Sequence, residues 1–405
     1  MNEAIFGAAL GITNPLYIER VEFDGDTLHI HISFEKGTRF PCSCCGIEGM
    51  PIHDTVRQEW RHMNFFQYRC VLHFPVPRVK CDECGTQKWK PPWASGTNGF
   101  TALFTTFILE LVKLNMPVSK IAEMFRIDDM KIWRIIRSYV EKAYKGLVFA
   151  KVKRIGVDET SLAKGHKYIT VFADAETRKV LFCVEGKDAE TIKAFAEEGL
   201  LHGLDADGIT DVSQDLSAAF AKGVKEHMPN ATITYDKFHV IKLLNEAVDT
   251  VRRTESKDNL ALKKTRYTWL KNPGNLTIEQ LNKRDELLAV DFLNTAEAYR
   301  QKLSFQQIYE TAKTSDEATF LIDGWLANAN NSGIKELKKF AKTVQKHLDG
   351  IARNIDTGLN NGFLEGINSR IQQIKRIAKG YRNVDNFIAM VYLKLAGLPM
   401  PTHSV

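Results

Sequence analysis

Long hydrophobic runs are missing from this 405-residue sequence. None approaches the roughly 18 uninterrupted apolar residues that a membrane span requires. The opening MNEAIFGAALG lacks the basic segment that begins a secretory leader, so a cytoplasmic protein with no membrane partner is expected. There is no internal repeat, which excludes solenoids, and no low-complexity tract. A strong charge surplus is also lacking. The net +6 is shared by many enzymes and identifies no partner by itself. Basic residues nonetheless gather at 252–266, 335–346 and 370–382. Cysteine is scarce outside one stretch: six of the seven lie between 42 and 84, and Cys183 stands alone in a strand-like run, where it reads as core. The length suits two or three domains.

Residues 17–34 alternate polar and apolar positions around a Gly-Asp turn, predicting a hairpin that leads to the first cysteines. Residues 65–80 show a similar pattern and lead to the second group. From Phe104 to about Lys145 the period lengthens to that of helices. Between Arg154 and Asp236 three strand-like runs (RIGVDETSL, KYITVFAD, KVLFCVEG) precede a helix at 190–202, a strand at 208–213, a helix at 215–227 and a strand at 231–235. That succession is RNase H-like order. Residues 237–355 read as helical and charged, broken at Asn272-Pro273-Gly274, and 361–378 as a last basic helix.

Cys42 and Cys45 form one CxxC knuckle and Cys81 and Cys84 another, each followed by glycine. Two such knuckles can close four thiolates around one Zn2+. Cys44 competes with Cys42 or Cys45 as a ligand, and Cys70 is most simply a buried strand residue. Within VSKIAEMFRIDDMKIWRIIRSY, one helix starting near Ser119, a turn at Ile127-Asp128 and a second helix capped by Asp128 or Asp129 give helix-turn-helix spacing. Lys131, Trp133, Arg134 and Arg137 then lie on or near the exposed side of the second helix, where DNA would be met. A plain helical hairpin is the bland alternative.

Carboxylates converging on two divalent cations can carry out phosphodiester chemistry. Asp158 sits inside an apolar strand, where an unpaired charge is costly. Asp215 follows a strand and precedes a helix, so an ordinary N-cap is an equal reading. Glu365 falls in NNGFLEGINSRIQQIKRIAKGYR, with Asn361 and Asn368 on its face and Arg370, Lys375 and Arg376 nearby. Asp236 and His239 end the last strand and begin a helix, in position to pair and brace the site or contact a phosphate, with a satisfied structural histidine an equal reading.

These motifs, in this order, resemble the DDE transposases of bacterial insertion sequences, specifically the ISL-three family. The resemblance rests on the two CxxCG knuckles, GVDETSLAKGHKYITVFAD, DVSQDLSAAF, PNATITYDKFHVIKLLNEAVDTVRR and GFLEGINSRIQQIKRIAKGYRNVDNF, and covers essentially the whole chain. It implies a multidomain α+β protein: a zinc ribbon at 1–100, a helix-turn-helix at 101–150, an RNase H-like α/β core at 151–240 and 356–405, and an all-α insertion at 241–355. It implies Asp158, Asp215 and Glu365 as the catalytic triad, with Asp211 in reserve for the second position. Asp236 and His239 match an accessory DxxH signature. Implied cofactors are Mg2+ or Mn2+ at the triad and Zn2+ in the ribbon.

The implied partners are double-stranded DNA, both terminal inverted repeats and target, and further copies of the chain in a dimer or higher oligomer, nucleoid-associated when on DNA. Arg252, Arg253, Arg370, Lys375 and Arg376 are expected to hold phosphates, and Trp269 or Trp325 is a candidate to stack on a distorted base, with a core role the simpler alternative. Two rival readings are a structure-selective nuclease on the same fold and a non-catalytic DNA-binding regulator.

Overall fold

The computed structural model describes residues 2–96, 99–163, 167–290, 292–358 and 362–401. The chain forms two compact units, one of residues 1–146 with 373–405 and one of residues 147–372.

The first unit opens with helix α1 (Asn2–Ala9) and a five-stranded sheet of β1 (Leu16–Asp24), β2 (Thr27–Phe34), β3 (Ile52–Phe65), β4 (Tyr68–Cys81) and β5 (Gly85–Lys88). Strands β1 and β2 form the hairpin that alternation predicts, turning at Gly25-Asp26. The order is β1-β2-β4-β3, with β5 pairing the far end of β4. Alternate residues of β2 and β4, among them Leu28, Ile30, Ile32, Leu72, Phe74 and Val76, fill one core with Trp60. Cys70 is buried in that core, as its strand position suggested. Three helices follow: α2 (Ala102–Lys113), α3 (Val118–Phe125) and α4 (Asp129–Lys145). Arg126 ends α3 in the left-handed region at φ +52°, and Asp128 caps α4 by accepting the Met130 N–H at 2.7 Å. Ile121, Phe125, Ile132, Ile135 and Ile136 close the core between these helices.

The second unit is built on β6 (Arg154–Ala163), β7 (Lys167–Asp174), β8 (Val180–Glu185), β9 (Asp211–Gln214) and β10 (Thr232–Tyr235), in the order β10-β9-β6-β7-β8. Strands β6, β7 and β8 are successive antiparallel neighbours, while β9 and β10 add in parallel on the other side of β6. Helices α5 (Ala189–Leu201) and α6 (Ala218–His227) connect them. The strand expected at 208–213 begins three residues later, because Ala206–Gly208 takes a 3-10 turn first. The helix expected from 215 starts at Ala218 because Ser217 is its cap.

Between residues 237 and 357 the described residues form only helices and turns: α7 (Lys237–Glu255), α8 (Arg266–Leu270), α9 (Ile278–Leu288), α10 (Asn294–Thr311), α11 (Ser315–Asn331), α12 (Lys335–Lys346), α13 (Leu348–Ala352) and α14 (Asn354–Thr357). They share a core around Trp269, Tyr299, Phe305 and Trp325. Helix α15 (Gly362–Ile377) carries the chain back to the first unit, which α16 (Val384–Leu395) completes by packing on α4.

Candidate active site and metal centre

The register of three parallel strands places the catalytic candidates. Arg154 of β6 pairs with Asp211 of β9, and Asp211 pairs with Thr232 of β10. Four residues on from these pairs, Asp158 lies in β6 while Asp215 and Asp236 are the first residues after β9 and β10, so the register carries all three toward one level at the ends of neighbouring strands spaced about 4.8 Å apart. Asp211 lies at the other end of β9, about 13 Å down the strand from Asp215. There it is an ion-pair residue: Arg353 reaches it at 3.0 Å and Arg154 at 3.8 Å.

Asp158 is buried, and its oxygens accept hydrogen bonds from the Glu159 N–H and from Asn368 Nδ2, both at 2.8 Å. Burial pushes its carboxyl up to about 6, with the charges of Asp215 and Asp236 adding to the rise and His239 opposing it. Asp236 is fully buried and accepts from His239 Nδ1 at 2.9 Å. That bond, helped by the charges of Asp158, Asp236 and Asp215, raises the imidazole above its ordinary range. Asp215 accepts the Ser217 N–H at 3.0 Å, while the Ser217 hydroxyl caps α6 by accepting from Phe220 N at 3.4 Å. Asp215 therefore is not the helix cap.

Helix α15 runs along β6 with matched steps. A Cβ on Gly156 would lie 2.7 Å from Leu364 Cδ1, Asp158 bonds Asn368, and Thr160 Oγ1 accepts from Gln372 Nε2 at 2.7 Å. Two strand residues advance about 6.6 Å and four helix residues about 6 Å, so the pairing stays in phase. Any larger residue at position 156 would force the Phe363 and Leu364 side chains to move. Glu365 follows Leu364 in the first turn of α15 and is solvent-exposed. Asn361, expected beside it, lies outside the described residues. The bonds from Asn368 and Gln372 to β6 were not anticipated from sequence, although residues 364, 368 and 372 share the i, i+4 spacing of one helical face.

Among the described residues, the one group of three or more candidate metal ligands whose donor atoms all lie within 4.8 Å is Cys42, Cys45, Cys81 and Cys84. Glycines at φ +78° (Gly46) and +70° (Gly85) turn the two knuckles toward each other. The Cys45 and Cys81 sulfurs are 3.6 Å apart, close to the roughly 3.8 Å expected between thiolates on a tetrahedral zinc. N–H groups of Cys45 and Cys44 point at the Cys42 sulfur and lower its thiol to about 7. Cys44 is exposed and outside this set. Donor number, softness and spacing all fit zinc.

Asp158, Asp215 and Glu365 are not gathered in this way. The fit to a hard cation rests instead on oxygen chemistry around Asp158. The Asn368 side-chain oxygen is buried next to that carboxylate with no hydrogen-bond partner among the described residues, and Mg2+ takes such oxygens.

Of the expected DNA contacts, Lys131, Arg134, Arg137, Arg370 and Arg376 are exposed, and Lys375 is half-buried. Arg253 is exposed as well, although its Nε lies 3.6 Å from Asp249. Arg252 departs from the expectation: it is buried, with NH2 2.8 Å from Asp249 Oδ1, and it braces α7 rather than facing solvent. Trp133 is half-buried against Tyr381, ring centroids 6.1 Å apart. Trp269 and Trp325 are core residues whose indole N–H groups donate to Thr265 Oγ1 at 3.0 Å and the Gln301 carbonyl at 2.8 Å. Neither is open to a base. No helix among the described residues is long and apolar enough to cross a membrane.

Three family models match successive parts of the chain. Residues 38–84 match the zinc finger of the IS204/IS1001/IS1096/IS1165 transposases. Residues 90–140 match the helix-turn-helix domain of transposase family ISL3, and residues 155–391 match the transposase domain of that family. The transposase for insertion sequence element IS1001 of Bordetella parapertussis is 30% identical over 94% of this chain and 95% of its own length. The transposase for insertion sequence element IS1557 of Mycobacterium tuberculosis is 27% identical over 98% of this chain and 96% of its own. With its zinc ribbon, helix-turn-helix and mixed-sheet domain in the family's order, the chain belongs to the ISL3 family of insertion-sequence transposases.

Proposed function

We propose that the chain binds the terminal inverted repeats of its element, cleaves the element's ends and joins the freed 3′-hydroxyl ends to target DNA. In this reading Asp158, Asp215 and Glu365 hold two Mg2+ or Mn2+ ions in an RNase H-like core, and the helices of 241–355 are an insertion into it. The observation that carries the reading is the placement of Asp158 on β6 and of Asp215 and Asp236 just past the ends of the adjacent parallel strands, with Asp158 braced by Asn368 of α15. The strand order β10-β9-β6-β7-β8 supports the same core.

Bound divalent cations would activate the attacking oxygen and offset charge on the leaving one. The protein's own groups prepare that site. A carboxyl held near 6 leaves Asp158 mostly ionised at neutral pH and able to act as a ligand. Asn368 fixes the direction of its second oxygen. Asp236 keeps His239 protonated further up the pH scale, which suits the imidazolium to a phosphate oxygen of the DNA. Water attacks at the element's end and releases a 3′-hydroxyl, which then attacks a target phosphodiester. No side chain becomes covalently attached. Joining two ends in concert normally takes two protomers, so the working form in this reading is a dimer or higher oligomer, acting on nucleoid DNA in the bacterial cytoplasm.

The test incubates purified protein with labelled duplex carrying the element's ends and Mg2+ or Mn2+, comparing wild type with Glu365→Gln. Cleavage and joining by the wild type, both lost in the variant, are expected. Cleavage without joining would point to a nuclease, and DNA binding without metal-dependent chemistry to a regulator.

A further inference from the structure

We infer that the loop 378–383, between α15 and α16, is a second contact to the DNA backbone beside the helix-turn-helix. The end-binding surface is then assembled from two segments more than two hundred residues apart in sequence. This rests on the reading of α3 and α4 as a DNA-binding helix-turn-helix.

Within the first unit, α16 is fastened to the helix-turn-helix. The Tyr144 and Tyr392 rings lie 4.4 Å apart, Lys394 Nζ donates to Asn115 Oδ1 at 2.7 Å, and the Tyr139 hydroxyl donates to the Pro399 carbonyl. The loop itself is held at both ends and in the middle. At its start, Gly380 N–H and Lys379 N–H return to the carbonyls of Lys375 (2.9 Å) and Arg376 (3.0 Å). Lys379 and Gly380 take φ of +54° and +101°, the left-handed turn that commonly closes a helix. At its end, Asn383 caps α16 by accepting the Asn386 N–H at 2.9 Å. Between them Tyr381 packs edge-on to Trp133 of α4 and 5.0 Å from Phe387. A cleft of about 610 Å³ separates the N-terminal turns of α3 and α4 from this loop.

Lys379 and Arg382 are exposed, and neither has an ion-pair partner among the described residues; the same holds for Arg134 and Arg137 on α4. Arg137 lies one turn beyond Trp133, so its flank of α4 continues the one the loop covers. Asp129 is the carboxylate that lines the cleft, and it sits in the first turn of α4, where it favours the helix dipole. Four unpaired cations on a preorganised surface fit a polyanion. A helix-turn-helix inserts its second helix in the major groove while neighbouring elements touch flanking phosphates, so duplex DNA is the partner.

The test measures binding of full-length protein to a labelled duplex carrying the element's terminal repeat and to a scrambled duplex, over a range of salt. Lys379→Ala with Arg382→Ala is expected to weaken binding about tenfold or more. The log–log salt slope should fall by about 2, one per lost phosphate contact. Preference for the repeat over the scrambled duplex should stay unchanged. Lys379→Arg with Arg382→Lys, which keeps both charges, should bind as wild type. Arg134→Ala serves as the control on the helix-turn-helix. If Arg134→Ala weakens binding while the loop double variant matches wild type in affinity and slope, the loop proposal is overturned and the helix-turn-helix reading stands. If the wild type binds neither duplex, both fall.

Discussion

In the ribbon, four sulfurs already lie within 4.8 Å of one another, whereas the carboxylates of the second unit stand in a row on separate strands with Glu365 exposed on a helix. The ribbon's ligands come in pairs three residues apart, each pair turned by its own glycine, so local geometry does most of the gathering. The acidic candidates lie on β6, just past β9 and β10, and on α15, and their placement depends on sheet register and on the docking of α15 through Asn368. One group is knuckle-made and closed; the other is sheet-made, with Asp158 and Asp236 buried and Glu365 exposed.

The contrast breaks most visibly if metal is stripped from the ribbon. A structural zinc contributes on the order of 10 kcal/mol of apparent folding free energy. Chelation, or Cys81→Ser, should therefore expose residues 38–90 to limited proteolysis while leaving fragments of 155–370 protected, with mass spectrometry as the readout. Loss of protection in both regions alike would mean that the two units do not fold independently.

Two aspartates four residues apart, Asp211 at the start of β9 and Asp215 just past its end, sharpen the comparison within the second unit. Asp215→Asn should lower metal-dependent end cleavage about a thousandfold, equivalent to roughly 4 kcal/mol, with little effect on stability. Asp211→Asn should keep cleavage and lose about 1–2 kcal/mol in denaturant unfolding, because it loosens Arg353 and Arg154. A reversal of these outcomes would return the second catalytic position to Asp211.

A smaller effect follows from the burial of Asp158. Its carboxyl is raised from 3.8 to about 6, so the folded state binds this proton more tightly than the unfolded state. That contribution to stability is present in full below about pH 4 and is lost as pH rises through 6. Asp158→Asn should therefore stabilise the protein at pH 7 by on the order of 2–3 kcal/mol and by almost nothing at pH 4, while abolishing cleavage. Equal melting temperatures for the two proteins at pH 7 would show that the carboxylate is not strained by burial.

The smallest effect concerns support from α15. Asn368→Ala removes one hydrogen bond to a charged carboxylate, about 1–2 kcal/mol. Cleavage should drop roughly tenfold, in line with loss of a neighbour that orients a ligand. Losing a donor to the ionised form also raises the Asp158 pKa, so the acidic limb of the pH–rate profile should move upward. A profile that keeps its shape would assign Asn368 to packing alone.

Parts of both centres were legible in advance. The CxxCG knuckles name four ligands by spacing, and the run GVDETSL marks Asp158 because a carboxylate within an apolar strand demands a partner. The basic run at 252–266 points Arg252 toward solvent, yet Leu244, Val248 and Arg252 fall on one helical line that is buried. Charge in sequence says nothing of burial when an i−3 acid, here Asp249, travels inward with the cation. The tryptophans were ambiguous for a related reason. Indole N–H groups can be satisfied inside a core, and those of Trp269 and Trp325 are.

The sequence by itself determined the zinc knuckles, the strand and helix succession and the family, because these depend on spacing and periodicity within short windows. Tertiary structure alone decided that Asp215 rather than Asp211 shares a level with Asp158, that Asn368 and Gln372 brace β6, and that Arg252 is buried. Strand register and helix docking are relations between segments tens to hundreds of residues apart. No local pattern encodes them, and a shift of one residue in register would have sent the same side chains to the opposite face.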